Sequence, residues 1–116
     1  MAIAADGAVL VSDTRNHRVL RIDPSGGGVT TWAQLATPGG MDVAADGTVY
    51  MVEASTNRVL HLDPSGTKLG VVGPMFDDPY DVDLGPGGSV YVVESLQSGR
   101  VKRIAADGKV TTLSRS

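Results

Sequence analysis

Acidic side chains carry most of the chemistry open to this chain, and they fall into two groups. Asp13, Glu53 and Glu94 recur at one place in an internal repeat, each a few residues before Arg18, Arg58 or Arg100. Three such acids could form a ring of ligands. A residue present in every repeat more simply serves each repeat, by accepting turn amides or pairing with the arginine that follows. The second group breaks the repeat. Asp42 ends the segment Pro38-Gly39-Gly40-Met41-Asp42, and Pro79-Tyr80-Asp81-Val82-Asp83 follows Phe76-Asp77-Asp78. Asp42 and Asp83 hold equivalent places, where the first copy has Ala2, whereas Tyr80 and Asp81 occur in the third copy alone. Asp42, Asp81 and Asp83, with Tyr80 as an aromatic wall, are the candidate ligand-binding residues. Their chemistry suits a cation or a cationic ligand. The competing reading is that these aspartates bond neighbouring loop amides.

Other chemistry finds little support. His61 stands where Arg21 and Arg103 stand in the other copies, and His17 lies in a turn. Neither has a partner at a metal-ligand spacing, so no metal site is expected. No Gly-x-Ser-x-Gly elbow is present, and no catalytic residue is assigned. Gly26-Gly27-Gly28 precedes no helix and cannot cradle a phosphate as a helix-capping loop does.

The elements that must position these residues come from the repeat. Ile3 to Gly26 matches Val43 to Gly66 at a spacing of 40, as Asp6 with Asp46 and Arg18 with Arg58 show. The third copy is offset by 41 at Pro38 and Pro79, and by 42 at Arg58 and Arg100. One residue has therefore entered before Pro79 and another around Leu96 to Gly99. Both belong in turns, because an insertion inside a strand flips every later side chain.

Each unit reads as four strands. In the second copy these are Met41 to Ala45, Thr48 to Glu53, Arg58 to Leu62 and Lys68 to Val72. The fourth strand has counterparts at Val29 to Trp32 and Lys109 to Leu113. Asp46-Gly47 supplies a hairpin turn, Ala54 to Asn57 a polar turn, and Asp63-Pro64-Ser65-Gly66 a turn with proline presetting φ. Val90-Tyr91-Val92-Val93 is apolar on both faces, as in a strand buried on both sides. The fold class expected is all-β, with three four-stranded antiparallel β-propeller blades at residues 1–37, 38–77 and 78–116.

The pattern Pro-x-x-x-x-Val-x-x-x-Gly, Val-Tyr-x-Val-Glu, Asn-Arg-Val-Leu and Asp-Pro-x-Gly, best seen from Pro38 to Gly66, resembles the NHL-repeat family of β-propellers. Asp13-Thr14-Arg15-Asn16-His17-Arg18-Val19 carries the Asn-His element. The third copy departs, with Ser98-Gly99-Arg100 and Ala105-Ala106-Asp107-Gly108. The resemblance covers nearly the whole chain. It implies that the first strands lie near a central channel, where ligands bind. Propellers of this kind include scaffolds, binders, lyases and hydrolases, so the resemblance implies a fold more than an activity. Metal-dependent gluconolactonase-like propellers carry Asn or Asp directly after the proline-type residue. Gly39 and Tyr80 stand there here, which counts against that activity.

Bulk properties bound the rest. The chain has 116 residues, a net charge of −3 and no cysteine. Disulfides and thiolate metal sites are thereby excluded. Basic residues are scattered, so no nucleic-acid partner is expected. No apolar run reaches membrane-spanning length and no signal peptide opens the chain, which points weakly to the cytoplasm and to no membrane partner. No cofactor is expected. Met1 aligns with Met41, so the chain begins inside a first strand and holds three blades. An isolated three-blade arc would expose two apolar faces. The expectation is a homodimer that closes a six-bladed ring, the alternative being a fragment of a longer propeller. The function expected is a non-catalytic scaffold for a ligand or protein. The alternative is a hydrolase or lyase that uses the channel acids.

Overall fold

The computed structural model describes residues 1–94 and 99–114. Its strands form three sheets of four. The first holds β1 (Ala2–Ile3), β2 (Val9–Asp13), β3 (Arg18–Ile22) and β4 (Val29–Gln34). The second holds β5 (Pro38–Val43), β6 (Val49–Glu53), β7 (Arg58–Leu62) and β8 (Lys68–Val72). The third holds β9 (Pro79–Leu84), β10 (Val90–Glu94), β11 (Val101–Ile104) and β12 (Val110–Ser114). Within each sheet the strands pair in chain order and antiparallel. These are propeller blades, and β1, β5 and β9 lie side by side along one edge of the arc.

Two apolar seams join the blades. Leu10 and Val19 of the first blade meet Met41, Val49, Met51 and Leu60 of the second. Val52 and Val59 of the second meet Val82, Val90, Val92 and Ile104 of the third. The middle blade is therefore buried on both faces, which is why its strands are apolar at odd and even positions alike. A fully buried Leu or Val contributes about 2 kcal/mol, so the seams, more than the hairpins, hold the arc together.

The turns follow their residues. Gly47 takes φ +87°, its N–H bonds the Ala44 carbonyl at 2.9 Å, and the Asp46 carboxylate accepts the Thr48 N–H at 3.0 Å. The connection is thus longer than a two-residue hairpin turn, and the first strand of the second blade ends at Val43 instead of Ala45. That strand also starts earlier than expected. Pro38-Gly39-Gly40, read from sequence as a lead-in, already belongs to β5. The polar turns after β2 and β6 are single 3-10 turns, Thr14–Asn16 and Ala54–Thr56, closed by His17 and Asn57 in the left-handed region at φ 56°. Gly99 takes the same conformation at φ 58°, which explains the glycine of the third copy. The remainder of the insertion expected around Leu96 lies outside the described residues.

Among the described residues no helix is long and apolar enough to cross a membrane.

Candidate functional site

The repeated acids are frame. Glu53 accepts the backbone N–H of Ala36 at 3.3 Å, and Glu94 accepts that of Asp77 at 2.5 Å. Ala36 and Asp77 both stand two residues before the buried prolines Pro38 and Pro79, so each acid clamps the approach to its own blade's first strand. Glu94 is fully buried and also faces Lys102 at 3.3 Å, off the axis of a hydrogen bond. Asp13 is engaged differently. It binds Arg18 at 2.9 Å and Asn16 at 3.0 Å, and both lower its pKa below 3.8. Pairing with the following arginine therefore occurs in the first blade, while amide acceptance takes over in the other two.

The four ligand-binding candidates come together. Asp42, Tyr80, Asp81 and Asp83 line one cleft of about 610 Å³, which also reaches Met1 and Val93. Backbone irregularities put them there. Val93 pairs with Asp81 and Glu94 with Pro79, so Tyr80 is an extra bulge residue, 43% exposed. A bulge re-aims a side chain that regular alternation would place elsewhere. The register of β5 shifts at the same level, between Pro38 and Met41, and Gly40 lies directly beneath Asp81. A Cβ at Gly40 would fall 2.0 Å from the Asp81 carboxylate, so glycine lets the two blades approach here.

The local roles weighed from sequence are present too. Asp42 accepts the Val43 N–H with one oxygen and, across the seam, the Leu84 N–H with the other, both at 2.9 Å. Asp81 accepts the Val82 N–H at 2.9 Å. The neighbouring Asp42 carboxyl, followed by desolvation, raises the pKa of Asp83 above its ordinary value. Like charge from Asp42 and Asp81 adds to that shift. No Lys or Arg lines the cleft. Among the described residues no three His, Cys, Asp or Glu side chains converge as metal ligands.

Sequence reasoning missed a second concavity. A groove of about 500 Å³ between the second and third blades is walled by Tyr50, Ser89 and Gly85. Tyr50 stacks on His61, with ring centres 4.3 Å apart. The only available signal was the replacement of Leu10 and Arg21 by Tyr50 and His61. That exchange also reads as ordinary seam packing.

No family model and no curated protein matches the sequence. Solved structures do. A gluconolactonase of Xanthomonas campestris superposes with a TM-score of 0.86 at 19% identity, over 98% of this chain and 46% of its own. A virginiamycin B lyase from Staphylococcus aureus gives 0.75 at 20% identity, over 96% and 39%. A chain of a nidogen/laminin complex gives 0.81 at 20%, over 99% and 47%. The chain is a partial β-propeller, of the class these six-bladed-type structures define. It spans less than half the length of each, and at such identities the likeness defines the fold alone.

Proposed function

We propose that this protein is a non-catalytic, NHL-type propeller module that binds a cationic organic group in the cleft of Asp42, Asp81 and Asp83, with Tyr80 as aromatic wall. One observation carries the reading. Three carboxylates from two blades crowd one open cleft that no Lys or Arg lines, and Asp83 there binds its proton more tightly than usual. A bound cation would relieve that crowding. Tyr80, carried out by its bulge, offers a ring face to an ammonium group. The absence of a convergent three-ligand set among the described residues favours an organic cation over a metal ion.

Calorimetric titration with choline, beside calcium chloride, tests this. Choline binding at pH 7 is expected, abolished by Asp81→Asn and weakened about fivefold by Tyr80→Leu. Absence of choline binding to the wild-type chain would overturn the reading. The gluconolactonase and lyase neighbours supply the second one. Turnover of a lactone or ester that Asp81→Asn abolishes would replace a binding role with a catalytic one.

A further inference from the structure

The two seams also describe the surfaces at the ends of the arc. In the first blade, Leu10 and Val19 face the second blade, so the alternating residues Ile3, Val9, Val11, Leu20 and Ile22 form the opposite face. In the second blade the same register positions are Val43, Val49, Met51, Leu60 and Leu62, packed in the first seam. In the first blade Val9, Val11, Leu20 and Ile22 are only half-buried and Ile3 stands 60% exposed. At the far end, Tyr91, Val93 and Val101 of the third blade repeat Tyr50, Val52 and Val59, which close the second seam. One end of the arc carries the forward half of a seam and the other end carries the backward half.

A knob and a socket make the match specific. In the first blade Val19 pairs with Ala33 and Leu20 with Thr31, which leaves Trp32 as a bulge residue. Trp32 reaches across the seam to the Pro64–Gly66 turn. Its Nε1–H donates to the Pro64 carbonyl at 3.0 Å, and its backbone and ring press against Gly66. In the third blade Val101 pairs with Ser114 and Lys102 with Thr112, so Leu113 is the corresponding bulge residue, 49% exposed. The matching turn of the first blade, Pro24–Gly26, has Gly26 at φ +79° with nothing described within 4 Å of where its Cβ would lie.

We propose that a second copy of this chain occupies these faces. Leu113 of each copy packs on the Pro24–Gly26 turn of the other, and the two equivalent junctions close a six-blade ring. The choice of a second copy rests on the complementarity of the chain's two ends, since a face that repeats a seam fits what completes that seam. The neighbours' length agrees, since this chain covers 39% of one and 46% of the other. The proposal does not depend on the ligand assigned to the carboxylate cleft.

Sedimentation equilibrium of the 116-residue chain, from about 1 to 100 μM, tests it beside two variants. Leu113→Glu alters the knob. Met75→Glu alters an equally exposed side chain outside both end faces. The wild type and Met75→Glu are expected at twice the 12.0 kDa chain mass. Leu113→Glu should raise the dissociation constant at least about tenfold. A folded wild-type monomer at 100 μM would overturn the proposal. So would a polymer growing with concentration, which means the junctions do not close, or a dimer that Leu113→Glu leaves equally tight. Choline binding measured on the same samples reports the cleft separately.

Discussion

At the residue scale, repetition separates frame from candidate site. Asp13, Glu53 and Glu94 recur because each blade has a turn or lead-in to fasten. Asp81 has no counterpart in the other copies, Asp42 and Asp83 share a place that the first copy fills with Ala2, and the three meet in one cleft. Their crowding has a consequence for pH. Asp83 has a raised pKa, so it holds its proton more firmly folded than unfolded. The stability it adds is present below about pH 3.8 and is lost as pH rises through the raised value. Asp83→Asn, which removes the titration and one negative charge, is expected to be more stable than wild type near neutrality. The gain in urea midpoint of the variant over wild type should be larger at pH 7 than at pH 4, and an equal gain at both would contradict the assignment. Asp6, Asp46 and Asp63 act in the opposite direction, with pKa values lowered chiefly by bonds to Ala8, Thr48 and Ser65 respectively. Their contribution is present above about pH 3.8 and is lost as pH falls through their depressed values. Gly40→Ala forces a Cβ against Asp81, so it should disturb choline binding by at least about tenfold at a stability cost of about 1–3 kcal/mol. Calorimetry and urea unfolding measure the two effects.

At the element scale, the strands and turns were legible because their signals are local. Asp46-Gly47 and Asp63-Pro64-Ser65-Gly66 announce turns by composition, and Thr48 to Glu53 announces a strand by its β-branched and aromatic residues. The bulges were not legible. Trp32, Tyr80 and Leu113 are extra residues only relative to their partner strands, and no local pattern marks a pairing register. The candidate site was legible as far as its residue types. That Tyr80 projects from a bulge, and that Gly40 admits Asp81, are facts of two elements in contact. The clamp by Glu94 is another such fact, since it joins β10 to the segment ahead of β9. Glu94→Ala should cost about 3 kcal/mol, because Lys102 and the Asp77 N–H both lose the fully buried carboxylate that faces them. Glu94→Gln keeps an acceptor and should cost about 1 kcal/mol. Equal losses for the two variants in denaturant unfolding would mean that the amide clamp is not what matters.

At the scale of the whole molecule, three blades stack through two seams and leave the two halves of a third seam on show. Burial of the end faces offers more than stability. It would set Leu113 against the Pro24–Gly26 turn as Trp32 is set against Pro64–Gly66, and give one chain the closed outline of a propeller about twice its length. The cleft belongs to this scale as well, because Met1 of the first blade lines it together with residues of the second and third. Small-angle X-ray scattering of the wild-type chain is the most direct test. The isolated arc has a Cα radius of gyration of 13.8 Å and a mass of 12.0 kDa. A closed pair predicts about 17 Å with twice that mass, unchanged on dilution through the micromolar range. A radius near 13.8 Å with the single-chain mass at every concentration would contradict it.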